Sequence, residues 1–301
     1  MTRVLVTGST GFIGGPVVEH LRSLGHEVHA AARSGGGRGE GVAWHDVDLL
    51  APDGPDRLAA AAQPEALVHL AWCAEPTTYL TTPENLAWVG ASARLLVAVH
   101  ATGCRRTVVA GTCLEYEVDE HPADERLTAI APTSPYAMAK HGLNTALTGW
   151  ASAAGHSLAW ARIFHLFGPG EPPSRLVPTV ARAALTGGRA ALSAGTQARD
   201  FLDVDDVAGA IVAILSSSVE GPVNVASGVA TTVADLAAMV AAAAGDPECL
   251  DLGAVTTADA GTPTIVGATG RLSREVGWHP GIPLDAAVER AVRWWSTRVE
   301  P

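Results

Sequence analysis

Tyr136 and Lys140 stand four residues apart in the run Tyr136-Ala137-Met138-Ala139-Lys140. On a helix, positions i and i+4 share a face, so a phenol and an ammonium would lie side by side. A free tyrosine titrates near ~10 and moves protons poorly at neutral pH; a neighbouring cation lowers that value and suits the group to acid–base work. Such a pair also arises by chance, but here its composition marks it. Of the 20 basic residues, 19 are arginine and Lys140 alone is lysine. Arginine excess beside abundant alanine looks like coding bias and says nothing of function. The single exception raises the question of what an ammonium does that a bulkier, planar guanidinium does not. Thr112 precedes Tyr136 by 24 residues.

A second constellation is Gly8-Ser9-Thr10-Gly11-Phe12-Ile13-Gly14, directly after an apolar strand and at the opening of a helix. Glycines at this spacing permit a tight turn, close approach of backbone to a pyrophosphate and tight helix–strand packing. The helix N-terminus then offers free N–H groups to the anion. Gly8, Thr10, Gly11, Phe12, Ile13 and Gly14 are therefore candidate dinucleotide contacts. The end of the next strand reads Ala30-Ala31-Ala32-Arg33-Ser34. NAD selection usually places an acid there for the adenosine ribose; an arginine pairs instead with a 2′-phosphate, with Ser34 and Arg38 as further donors. This favours NADP(H) over NAD, against the alternative of a solvent-exposed loop arginine. Asp48 and Leu49 would border the adenine, although an exposed acidic turn explains the same residues.

These groups need a scaffold. Arg3-Val4-Leu5-Val6-Thr7, 27–31, 66–70, 107–110 and 156–162 read as strands, and 12–24, 84–102 and 134–154 as helices. Near-continuous apolar strands alternating with helices predict an α/β fold, a Rossmann-type doubly wound parallel sheet covered on both faces. Beyond about residue 165 the texture turns to Gly- and Pro-rich loops. The expected organisation is an NADP-binding domain over 1–165, to which a strand–helix unit at 199–215 returns. A smaller C-terminal α/β substrate-binding domain is expected over 166–301.

Composition removes other classes. With 31 acidic against 20 basic residues the formal charge is −11, which argues against a nucleic-acid binder. Hydrophobic content of 48% with 17% charge excludes a disordered chain. Cys73, Cys104, Cys113 and Cys249 show no CxxC spacing and the 11 histidines no HExxH, so neither a disulfide framework nor a metal site is expected. The N-terminus lacks a signal-peptide pattern, and no run approaches the ~18 apolar residues of a membrane span. A cytoplasmic protein with no membrane partner is expected.

Taken together, these motifs resemble the extended short-chain dehydrogenase/reductases, in the NAD-dependent epimerase/dehydratase branch acting on nucleotide sugars. The resemblance covers nearly the whole chain. Gly111-Thr112-Cys113-Leu114-Glu115-Tyr116 matches the family's strand end, which implies Thr112, Tyr136 and Lys140 as the catalytic trio. His69-Leu70-Ala71-Trp72 matches an HLAA-like turn, implying cofactor contacts at Leu70 and Ala71 and a large ring, Trp72, at the cleft. Asn85 matches a helix asparagine used near the active site. The stretch from Arg199 to Ala208 resembles one whose arginine meets the substrate diphosphate, and Gly277-Trp278-His279-Pro280 a closing turn. Substrate contacts are implied at Trp72, Cys113, Leu114, Glu115, His165, Arg175, Leu176 and Arg199. An exposed strand-end acid is the other reading of Glu115. His165 replaces a usual asparagine, and the arginine that often completes the diphosphate clamp is missing from 257–263.

The resemblance also discriminates reactions. Dehydratases carry Asp-Glu after the catalytic threonine, whereas here the pair is Cys113-Leu114. Epimerases hold NAD tightly, which Arg33 disfavours. NADPH-dependent reduction of a keto group follows as the expectation, most simply the 4-keto group of a nucleoside-diphosphate 4-keto-deoxyhexose in deoxysugar biosynthesis. A 4-epimerase, a reductase of a non-nucleotide ketone or aldehyde, and a non-catalytic NADP(H) sensor remain alternatives. A homodimer is implied, pairing helices 84–102 and 134–154 into a four-helix bundle. Trp88, Leu95 and Leu96 would be exposed for that contact, unless they face the core.

Overall fold

In the computed structural model, residues 1–33, 40–117, 121–256 and 264–299 are described. The elements run β1 (Arg3–Thr7), α1 (Gly14–Ser23), β2 (Glu27–Ala32), β3 (Val42–Asp46), α2 (Gly54–Ala62), β4 (Ala66–His69), α3 (Glu84–Ala101) and β5 (Arg106–Thr112). After a 3-10 turn at Cys113–Glu115 come α4 (Pro135–Ala154), β6 (Ser157–Ile163), β7 (His165–Phe167), α5 (Leu176–Leu185), β8 (Ala190–Leu192), β9 (Ala198–Asp203) and α6 (Val204–Ser216). The chain ends with β10 (Gly221–Val225), β11 (Ala230–Thr232), α7 (Val233–Ala243), β12 (Leu250–Leu252) and α8 (Leu284–Ser296).

Seven strands form one parallel sheet in the order β10-β6-β5-β4-β1-β2-β3. Strands such as Val4-Leu5-Val6 and Leu67-Val68 are apolar on both faces because helices cover both. One face packs under α1 and α6, through Val17, Leu21, Val207 and Ile211. The other packs under α2, α3 and α4, through Leu58, Leu95, Leu96, Leu143 and Leu147. Strand order reverses between β1 and β4, which opens a crevice at their carboxyl ends, the place where such sheets bind ligands.

A separate core of Phe167, Val180, Leu236, Val240, Ala291 and Trp295 holds α5, α7 and α8 together. Two small sheets, β11-β9-β7 and β12-β8, belong to this part of the chain. The segment at 199–215 divides: β9 pairs with β7 and β11, while α6 packs on the central sheet. A second return, β10 beside β6, was not anticipated. Also unanticipated were β3, a partly exposed edge strand without an apolar run, and α2, whose Gly54-Pro55 start reads as a turn.

Trp88, Leu95 and Leu96 are 6%, 0% and 0% exposed, so they face the chain's own core and not a partner. Among the described residues no helix is long and apolar enough to cross a membrane.

Candidate active site

The glycine turn sits at the crevice. Gly8 has φ +69, and a Cβ there would come within 2.8 Å of the Ala71 nitrogen; one on Gly14 would lie 2.0 Å from the Gly8 oxygen. Only glycine fits both demands. Ser9 donates to the Ala31 carbonyl (2.9 Å) and ties the turn to β2. Thr7 does the same toward β4: its Oγ1 accepts from the Ala71 N–H at 3.3 Å and meets His69 Nδ1 at 2.7 Å. Helix α1 starts with no side-chain cap and no acidic residue in its first turn. Its N–H groups and dipole are thus left for an anion. Thr10 and Gly11 are exposed at this turn, Phe12 and Ile13 half-buried, and Leu70 and Ala71 are its backbone neighbours. A cradle that side chains would fill, under an uncapped helix end, fits a dinucleotide pyrophosphate.

Arg33 follows β2 directly, is exposed, and its charge reaches the Cys73 thiol. Ser34 and Arg38 lie outside the described residues. Asp48 accepts from the Leu50 N–H (3.0 Å) while remaining exposed, and the Leu49 side chain is buried in the core under α2 and α3.

The predicted trio comes from two elements. β5 ends at Thr112, whose Oγ1 accepts from Leu114 N–H (3.3 Å). Helix α4 begins with Ser134, its Oγ accepting from Ala137 N–H (3.2 Å), followed by Pro135. Small residues, Ala137 and Ala139, bring α4 close to the sheet, and Lys140 becomes 3% exposed. Its Nζ donates to the Ala110 carbonyl (2.7 Å). Burial, opposed by the Glu115 charge, pushes its ammonium down to about 7. Tyr136 hydrogen-bonds Thr112, and Lys140 Nζ is 5.9 Å from the phenol ring centroid. The sequence expectation of a lowered phenol is reversed. Burial, then Tyr79, holds Tyr136 above its ordinary value, and the Thr112 bond only moderates this. The phenol therefore carries its proton at neutral pH.

Glu115 requires a correction. It is 0% exposed. Oε1 accepts from the Thr112 N–H (3.0 Å) and the Trp160 indole (2.8 Å), and Oε2 pairs with Arg162 at 3.0 Å. A carboxylate engaged at both oxygens by protein donors is not a substrate contact, nor an exposed strand-end acid. It fixes the end of β5 and with it Thr112. Glu115→Gln should leave the buried Arg162 charge uncompensated and lower the unfolding free energy by about 3 kcal/mol. Adding Arg162→Met should recover much of that loss in chemical denaturation. A Glu115→Gln protein of normal stability with a raised substrate KM would contradict this assignment.

The remaining predicted contacts are spread over the facing wall. Cys113 packs with Tyr116, Phe164 and Ile265, and burial pushes its thiol up to about 12; Leu114 is partly buried against the same cluster. Trp72 is half-buried beside Tyr136, with ring centroids 6.4 Å apart. His165, 5.8 Å from Phe201 by ring centroids, is pushed down to about 3 by burial and by the charges of Arg199 and Arg175, so it is neutral. Arg175 is the residue before α5, and Leu176 packs into the core around α5 and α8. Arg199 is buried, with Nη1 donating to its neighbour's carbonyl at Ala198 (2.8 Å). The acids following Arg199 are scaffold. Asp200 receives Ser227, Gly228 and Gly267 N–H groups, and Asp206 those of Gly281 and Ile282.

Two residues at this wall escaped the sequence reading. The Tyr79 ring lies 5.0 Å from Tyr136 and 5.6 Å from the Arg175 guanidinium. Glu171 is 6% exposed, and burial pushes its carboxyl up to about 8 beside Arg175. Tyr79 had a signal: the chain has three tyrosines, and one of the others, Tyr136, is itself a predicted site residue. Glu171 had none, because only the fold buries it.

The family model for the NAD dependent epimerase/dehydratase family matches residues 4–226, and the chain belongs to that family. It is 27% identical over 323 residues to a UDP-glucose 4-epimerase of Rhizobium meliloti, covering 98% of this chain and 97% of that protein. It is also 27% identical over 319 residues to a GDP-6-deoxy-D-mannose reductase of Pseudomonas aeruginosa, covering 99% and 98%. The solved structure of a Thermus thermophilus UDP-glucose 4-epimerase complexed with NAD superposes with a TM-score of 0.88 at 28% identity, covering 99% of this chain and all of that one.

Proposed function

We propose that the protein reduces the 4-keto group of a nucleoside-diphosphate 4-keto-deoxyhexose with NADPH, in deoxysugar biosynthesis. The observation that carries this reading is Arg33, a cation standing beyond β2 where an NAD site would hold an acid. The Gly8–Gly14 turn and Lys140 would hold the dinucleotide, which when bound would supply the hydride for the carbonyl carbon. Tyr136, protonated and fixed by Thr112, delivers the proton to the carbonyl oxygen, and the Thr112 hydroxyl stabilises the charge developing there. Lys140 contributes an ammonium beside the phenol and the donors that hold the cofactor. Cys113 and Leu114 after Thr112 supply no acid–base pair for removing water. Aromatic walls at Trp72 and Tyr79 suit a sugar that has lost a hydroxyl, while Arg175, Arg199 and neutral His165 suit its diphosphate. The relative named a GDP-6-deoxy-D-mannose reductase supports this choice. The same reading takes the protein to be a cytoplasmic homodimer, pairing through the outer faces of α3 and α4; the exposed Leu86, Val97 and Met138 support that pairing.

The test is incubation with NADPH or NADH and a panel of nucleotide-linked 4-keto sugars, following loss of nicotinamide absorbance. Turnover with NADH alone would sink the cofactor assignment. A 4-epimerase is the second reading, favoured by the relatives named UDP-glucose 4-epimerases. Tightly co-purifying NAD with no net oxidation would select it. Arg33→Ala should raise the KM for NADPH by about 10- to 100-fold, the scale of a charge-assisted hydrogen bond, and change that for NADH little. Equal effects on both cofactors would remove Arg33 from the 2′-phosphate.

A further inference from the structure

We propose that Trp72 is a positioning residue whose indole face holds the Lys140 ammonium in place, with Asn85 holding the indole. Lys140 Nζ lies 3.9 Å from the Trp72 ring centroid. An ammonium has three N–H donors and no acceptor. One goes to the Ala110 carbonyl and the indole face receives the charge from another side, so a defined direction remains for a ligand hydroxyl. Trp72 is itself locked. Its Nε1–H donates to Asn85 Oδ1 at 2.8 Å, and Asn85 is 1% exposed. The Asn85 Nδ2 donates to the carbonyls of Tyr79 (2.8 Å) and Thr82 (2.9 Å), which fixes the amide so that its oxygen must face the indole. The family-type asparagine therefore acts here on the tryptophan. Trp88 stacks against Trp72, 6.2 Å between ring centroids.

The contact matters because Lys140 is stripped of water, and a cation–π interaction is strongest when desolvated. Among the described residues, the titratable groups facing Lys140 are the Tyr136 phenol on its own helix, His69 from β4 and Glu115 from the turn after β5. His69 is held neutral, pushed down to about 3 by burial and then by the Lys140 charge. Glu115 is paired with Arg162. An electron-rich ring at the ammonium opposes the loss of its proton on burial; a small residue at position 72 would present no such face.

The chemical consequence rests on the reductase reading, but the test does not. Lys140 is the chain's only lysine, so ¹³C-lysine labelling gives one ε-carbon signal in the cofactor-free protein. In the wild type its ε-CH₂ protons are expected well upfield of free lysine, from the indole ring current. Trp72→Leu, apolar but without a π face, should return them toward the free position and lower the titration midpoint by about one unit, tenfold in proton affinity. Trp72→Phe, which keeps a π face but loses the bond to Asn85, should give values between those of the wild type and Trp72→Leu. An unshifted wild-type signal, which needs no variant, would overturn the proposal. So would an unchanged midpoint in Trp72→Leu. If no keto sugar is reduced by any form while these shifts appear, the reductase reading fails and the role of Trp72 stands.

Discussion

Tyr136→Phe is expected to lower kcat for keto-sugar reduction by about 10²- to 10⁴-fold, the usual contribution of a positioned general acid, while leaving NADPH affinity close to wild type. The phenyl ring keeps what holds the position. Its edge contacts with Tyr79 and Trp72, 5.0 and 6.4 Å between centroids, involve the ring and not the oxygen. The bond from its backbone N–H to the Leu80 carbonyl (3.1 Å) is likewise unaffected. What disappears is the one hydroxyl that Thr112 orients and that burial keeps protonated at neutral pH. Steady-state rates with NADPH, set beside fluorescence titration of NADPH binding, separate the two effects. Equal loss of affinity would assign Tyr136 a structural role in the cofactor pocket. Unchanged turnover would remove it from the chemistry, and indifference in both measurements would leave an NADP(H)-sensing protein as the better description.

What made Tyr136 visible in the sequence was local: a spacing that one helical turn converts into proximity. The glycine turn was legible for the same reason, since Gly8 and Gly14 answer to sterics within a few residues of each other and the strand before them. Strands β1, β2, β4, β5 and β6 were legible because burial on both faces forces apolar runs. Beyond the locally ambiguous β3 and α2, the failures are long-range. Glu115 reads as a site acid because its neighbours in sequence are site residues; its partners Trp160 and Arg162 lie 45 and 47 residues away on the adjacent strand. The direction of the Tyr136 shift failed likewise, because spacing shows the cation but not the depth of burial that outweighs it. Strand β10 gave no hint of joining the central sheet, because pairing with β6 is fixed by tertiary packing after two intervening helices, α5 and α6, and strands of two smaller sheets. Trp72 was placed at the cleft by resemblance, yet its hold on Lys140 depends on Asn85, 13 residues on.

Lys140→Arg keeps a positive charge, and is nevertheless expected to lower kcat/KM by about 10²-fold, no better than Lys140→Met. Pure electrostatics would predict near-normal activity, so the substitution separates charge from shape. The ammonium occupies a site closed on two sides, by the Ala110 carbonyl at 2.7 Å and the Trp72 ring at 3.9 Å, with 3% of the residue exposed. A guanidinium is planar, longer and carries five donors in a fixed fork. Placing it between a carbonyl and an indole face would leave N–H groups buried without acceptors, at about 1–3 kcal/mol each. Relief by pushing α4 away from the sheet would carry Tyr136 off Thr112. Ribose oxygens accepting there would also meet a fork where a single compact ammonium had stood. Parallel kinetics of the arginine and methionine variants, with circular dichroism to verify folding, check the expectation. A Lys140→Arg enzyme near the wild-type rate would show that charge alone suffices, and the solitary lysine of this arginine-rich chain would then have no explanation in its site.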